Sequence, residues 1–143
     1  MKCEIIIDSN CEEKVVIYAR EAHELVCQIK RLAEEDRIEL VGYREKEIIK
    51  LNPCDVCCVT VIRGKVYAIC KKEQLQLKER LYAVEGRLPD WFVKINQSCI
   101  ANMKQIERFD ASVSGTLKVY FKNGYTDYVS RRQLKVIKER MRI

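Results

Sequence analysis

The sequence predicts an α+β fold that is mostly β: short antiparallel sheets with a C-terminal helix, preceded by a small strand-helix-strand extension. Three observations carry this expectation. After Pro53, β-branched and aromatic runs bounded by turn residues recur, as in CDVCCVTVI, KVYAIC, WFVKI and TLKVYF. Turn pairs sit between such runs at Arg63-Gly64, Ser114-Gly115 and Asn123-Gly124, the last being the strongest two-residue hairpin signal. Sustained helical spacing is confined to three stretches, one of them at the C-terminus.

In chain order, CEIIID and KVVIYA read as strands, and REAHELVCQIKRLAEED reads as a helix. Its stripe of Ala22, Leu25, Val26, Ile29, Leu32 and Ala33 has the spacing of a core-facing side. IELVGYREKEIIKL gives two strands around a polar turn, closed by Asn52 and Pro53. CDVCCVTVI and KVYAIC then flank a basic hairpin tip. LQLKERLYAVEGRLPD places Leu77, Leu81, Val84 and Leu88 at helical spacing and stops near Gly86 and Pro89. WFVKI, CIANMKQI, IERFDASV, TLKVYF and TDYV follow as strands. Ser130 is a good N-cap, and Gln133 three residues later completes a capping box for the last helix. No internal repeat, low-complexity tract or flexible linker separates the parts, which divide into an extension over 1–45 and a main domain over 46–143.

With 143 residues, 48% of them hydrophobic, the chain can bury the core of one domain with a small extension. No apolar run approaches the roughly 18 residues that cross a bilayer, and MKCEIIID lacks a signal peptide's layout. A soluble cytoplasmic protein without membrane contact is expected. Of eight cysteines, Cys57, Cys58 and Cys70 lie in apolar runs, where thiols behave as small hydrophobes. Cys54 and Cys57 form a lone CxxC with no second pair, and the only histidine, His23, is distant. Reduced thiols with no metal and no cofactor are therefore expected, a thiol-based redox sensor being the minor alternative. No GxxxxGK[ST], GxGxxG or HExxH occurs and the acids form no defensible pair, so an enzyme is the weaker class.

The net charge of +6 is unevenly spread. Residues 1–45 hold 7 Lys+Arg against 11 Asp+Glu, net −4, and residues 46–143 hold 20 against 10, net +10. A basic domain behind an acidic companion points to a polyanion partner, with a merely solvated basic face as the alternative. Arg131 and Arg132 stand in the first turn of the last helix, where the dipole favours acids by about 0.3 to 1 kcal/mol per charge. An approaching anion would explain them. Basic and amide residues also gather at Arg63-Gly64-Lys65 and at Lys94, Asn96, Gln97 and Ser98. Arginine can hold guanine by two hydrogen bonds, Asn and Gln can hold adenine, and lysines and helix N-termini suit phosphates.

From Trp91 to Met141 the chain resembles the LytTR DNA-binding domain of bacterial transcription regulators. The resemblance rests on Phe92, Lys94, Ser98, Asn102, Ile106, Gly115, Gly124 and Val129-Ser130-Arg131 in that order, and it reaches back to about Lys46. It implies a LytTR-like β fold whose loops, rather than a recognition helix, enter the major groove of double-stranded DNA. Base reading then falls on Gln97 and on Arg131 or Arg132, with a looser match near Lys65, where many members carry a histidine. Asn102 either contacts DNA or holds its loop by hydrogen bonding. Paired direct repeats and a homodimer on DNA are further implications. Well-known members carry a receiver domain in front; the roughly 45 residues here are too few for its five strand-helix units, so phosphorylation control is not expected. The competing class is a protein-protein interaction module with a solvated basic surface.

Overall fold

The computed structural model describes residues 1–35 and 39–142, and the chain divides into two units, Met1–Arg37 and Ile38–Ile143. Asp36 and Ile38, which the sequence places at the end of a helix and the start of a strand, lie outside the described residues. In the first unit the predicted helix forms as α1 (Glu24–Glu35), but neither CEIIID nor KVVIYA is a strand. A strand needs a hydrogen-bonded neighbour, and apolar composition alone does not supply one. The helical stripe is also less covered than its spacing predicts. Val26 and Ile29 are half-buried, while Leu25 and Leu32 are exposed.

The second unit is built from hairpins. β1 (Leu40–Arg44) pairs with β2 (Glu47–Leu51), and β3 (Val56–Ile62) with β4 (Lys65–Cys70), all antiparallel. Next come β5 (Gln74–Leu77), α2 (Leu81–Glu85), β6 (Phe92–Asn96), β7 (Cys99–Asn102), β8 (Ile106–Asp110), β9 (Leu117–Phe121), β10 (Thr126–Val129) and α3 (Arg131–Met141). β1, which the sequence assigns to the front extension, also pairs with β5 and is part of the larger sheet. That sheet has seven strands in the order β2-β1-β5-β4-β3-β7-β6, and a three-stranded sheet runs β10-β9-β8.

Two elements depart from their sequence reading. Leu77 has helical spacing to Leu81, yet it lies in β5, opposite Val66 of β4. The run QLQL alternates polar and apolar, so period 2 buries Leu75 and Leu77 on one face, and α2 begins only at Leu81. At the β9–β10 hairpin, only Gly124 of the Asn123-Gly124 pair takes positive φ, at 90°. A two-residue type I′ turn needs positive φ at both, so the chain uses a longer turn, closed by Phe121 N–H to Tyr125 C=O at 2.9 Å. The Arg63-Gly64 hairpin does meet that requirement, with φ of 52° and 78°.

Alternation along β3 and β7 feeds two cores. Val56, Val59 and Ile100 join Leu40, Leu75, Val84 and Trp91 in the first. Cys58, Cys99 and Ala101 point the other way and join Ile95, Val119, Phe121, Val129 and Ile137 in the second. The second core therefore ties the large sheet, the three-stranded sheet and α3 into one body. Through it, the start of α3 is fixed relative to the ends of β3 and β6.

Candidate nucleic-acid interface

Strand direction brings the three sequence-predicted tips to one edge. β3 runs into Arg63-Gly64, β6 runs into Gln97-Ser98, and β10 runs into Ser130-Arg131. Backbone hydrogen bonds join neighbours along this edge. Val61 N–H donates to Ser98 C=O at 2.8 Å, linking the first tip to the second, and Ser130 N–H donates to Ile95 C=O at 2.8 Å, linking the second to the third. Arg63, Lys65, Gln97, Ser98, Arg131 and Arg132 are exposed there, and Lys94 is half-buried.

Asn96 plays a different part from the one its residue type suggests. Its Nδ2 donates to Asp127 Oδ1 at 3.0 Å and to Tyr128 C=O at 2.8 Å, and its Oδ1 accepts from Ser98 N–H at 2.8 Å. The amide thus shapes the Gln97 loop and clamps it to the strand that delivers Arg131. Asn102 is buried, with Nδ2 donating to Val56 C=O at 2.8 Å and Oδ1 accepting from Lys104 N–H at 3.0 Å. Between the two roles that the resemblance leaves open for Asn102, this geometry favours holding the chain over touching a base.

α3 starts after Ser130 as predicted, but the Ser130 side chain makes no capping bond, so the expected capping box does not close. The Ser130 carbonyl accepts from Gln133 and Leu134 N–H groups instead, at 3.0 Å each. The Arg131 and Arg132 N–H groups come too early in the helix for an intrahelical partner, so the positive dipole end stands at these two exposed residues. Such a terminus is suited to an anion.

One positioning residue and one basic face were missed in the sequence. Asp127 is the acid that holds Asn96, and its signal is weak: a lone carboxylate in a basic segment. The outer face of the three-stranded sheet carries Arg108, whose guanidinium lies 3.6 Å from the Tyr120 ring centroid, and Lys118, 5.0 Å from the same ring and 5.8 Å from Tyr128. Their alternation with Phe109 and Val119 was legible as an outward face. Asp110 shares that face, and its carboxyl sits below the usual range because it accepts hydrogen bonds from Ser112 and lies near Arg108 and Lys118.

Cys99 lies under the Gln97 tip beside Asp127, and it belongs to a set of covered thiols. Cys57, Cys58, Cys70 and Cys99 are buried. Burial pushes the Cys57 thiol up and the Cys70 thiol up to about 12, while hydrogen bonding with Cys58, then burial, raises Cys99. Thiolates are the reactive form, so Cys57, Cys70 and Cys99 are held inert, and burial alone shields Cys58. A thiol reagent at neutral pH should label exposed Cys3 and Cys11 quickly and these four only after unfolding; rapid labelling of all eight would refute the assignment. Folded thiols with raised pKa keep protons that the unfolded chain releases above about 8.5, so this contribution is intact below that pH and is lost as pH rises towards 12. Melting temperature should therefore fall across that alkaline window. Among the described residues, no group of three His, Cys, Asp or Glu is placed to hold a metal, and no helix is long and apolar enough to cross a membrane.

Comparison with known proteins identifies the family and the fold. The profile of the LytTr DNA-binding domain matches residues 46–142. An HTH-type transcriptional regulator of Staphylococcus aureus strain NCTC 8325 is 37% identical over 146 residues, spanning 100% of this chain and 99% of the relative. Another, from strain MSSA476, is 42% identical over 104 residues, covering 73% of this chain and 71% of the relative. A solved LytTr DNA-binding domain of a response regulator from Bacillus cereus superposes with a TM-score of 0.70 at 19% identity, covering 74% of this chain and 98% of that one.

Proposed function

Because the chain belongs to the LytTr DNA-binding domain family, we propose that it is a cytoplasmic transcription regulator that reads duplex DNA through three loop tips and is not an enzyme. The observation that carries this reading is the convergence of Arg63, Lys65, Gln97, Arg131 and Arg132 on one edge, fixed by the Val61–Ser98 and Ile95–Ser130 backbone bonds. DNA binding is assigned to residues 46–143 and a companion role to the acidic 1–45. Although the relatives are described as HTH-type, α3 here follows strand β10 directly, without a preceding helix and tight turn. Loops therefore do the reading, with the α3 N-terminus beside them.

The roles divide by chemistry. Lysines and arginines neutralise phosphates and release counterions, which supplies most of the affinity. Gln97 and the arginine pair supply base discrimination in the major groove. Asn96 and Asn102 position these groups. Two copies on paired direct repeats complete the reading.

Salt provides the test. The five cations Arg63, Lys65, Lys94, Arg131 and Arg132 correspond to a slope of log K against log salt of about −4 to −5, so affinity for a mixed-sequence duplex should fall about 10² to 10³-fold between 50 and 200 mM salt. A flat salt response in fluorescence anisotropy would favour an interaction module with a solvated basic face and reject the proposal.

A further inference from the structure

The first unit poses a physical problem that DNA binding leaves untouched. Chains below about 40 residues usually need a disulfide, a metal or oligomerisation to hold a fold. Here the unit spans 37 residues, Cys3, Cys11 and Cys27 are free, and no metal-binding group is present among the described residues. None of residues 1–34 is buried. Ile5, Ile6 and Ile7 are 83, 78 and 95% exposed, and Val15, Val16 and Tyr18 are also open. Of the three usual devices, association is the one left.

α1 indicates the form of that association. One edge of its apolar stripe, Val26 and Ala33, lies along Val15 and Ile17 in a shared groove. The other edge carries Leu25, Ile29 and Leu32, spaced by four and then three residues, the pattern of a helix-pairing seam. Leu25 is 46% and Leu32 68% exposed, so the seam has no occupant within the unit. It is also self-complementary. Laid antiparallel across a two-fold axis, Leu25 meets the partner's Leu32, Ile29 meets its own copy near the axis, and the helix dipoles oppose.

The exposed large apolar side chains of the second unit, Ile48, Tyr82, Val113, Tyr128 and Val136, are scattered over β2, α2, the β8–β9 loop, β10 and α3. We propose that residues 1–35 form a dimerisation element in which the Leu25, Ile29 and Leu32 face of α1 packs against the same face of a second copy of this chain. The exposed isoleucines and valines add the apolar area that a stable interface of about 1,200 Å² or more requires. The element would hold two DNA-reading domains together, which goes beyond the reading proposed above and does not depend on it.

Light scattering of the full chain in reducing buffer tests this. The wild type should show about twice the chain mass of 16.8 kDa, and the double variant Leu25→Asp, Leu32→Asp should show the single mass, with Trp91 fluorescence reporting that the second unit stays folded. Ile29→Ala, a milder change near the axis, should raise the dimer dissociation constant at least about tenfold, whereas Arg31→Ala, exposed on the side of α1 away from that face, should leave it unchanged. A wild type of single-chain mass at about 100 μM, or a double variant that keeps the two-chain mass, overturns the proposal. A two-chain wild type, split by the aspartates but without affinity for duplex DNA, would support this interface and defeat the DNA-reading proposal instead.

Discussion

Replacing Asn102 with alanine should destabilise the protein by about 2–4 kcal/mol, because two partners lose their hydrogen bond at once and each orphaned buried group costs about 1–3 kcal/mol. The Nδ2 bond to Val56 C=O joins β7 to the start of β3, and the Oδ1 bond from Lys104 N–H shapes the turn that leads into β8. With Asn102 fully buried, water cannot replace either. Urea unfolding of Asn102→Ala should show a lower midpoint with an unchanged slope. Asn102→Asp keeps an acceptor for Lys104 but loses the donor to Val56 and buries a carboxylate, so it should be at least as harmful. The functional corollary is specific: protein that remains folded below the transition should keep its preference among DNA sequences. A folded Asn102→Ala protein that had lost base preference would restore Asn102 as a DNA contact.

The contrast between Asn102 and Asn96 shows how far a sequence can be read here. Both are amides within a polar, basic segment, and residue type alone assigns both to adenine. What separates them from Gln97 is three-dimensional. Asn96 is engaged by Asp127 and by the Tyr128 carbonyl, more than 30 positions along the chain, and Asn102 by Val56, 46 positions back. Side-chain spacing carries no information about partners so remote.

What was legible is what depends on local chemistry. The Arg63-Gly64 hairpin followed from residues that accept positive φ, and the end of β10 followed from Ser130 before a helical stripe. Local signals misled where two periods overlapped. Leu77 satisfies both the 3.6-residue spacing to Leu81 and the alternation of QLQL, and burial beside Val66 decided for the strand. They misled again in CEIIID and KVVIYA, whose strand propensity found no pairing neighbour in the first unit.

Arg132→Ala should weaken binding to a preferred site by about 1–3 kcal/mol, roughly 5- to 150-fold, while weakening binding to random duplex far less. Stability does not account for a guanidinium at this position. It stands exposed in the first turn of α3, where the dipole opposes it, and no salt bridge holds it among the described residues. Arg132 therefore costs stability in the free protein and becomes favourable only when negative charge arrives, so Arg132→Ala should leave the melting temperature equal or slightly raised. Lys65→Ala is the control of opposite character. A lysine serving a phosphate should lower affinity about equally for all sequences and reduce the salt slope by about one. Sites selected from a randomised duplex pool supply the preferred sequence, and paired titrations on selected and random DNA separate the two outcomes. Equal losses on both for Arg132→Ala would mark it as a phosphate contact and leave Gln97 and Arg131 to carry the base discrimination.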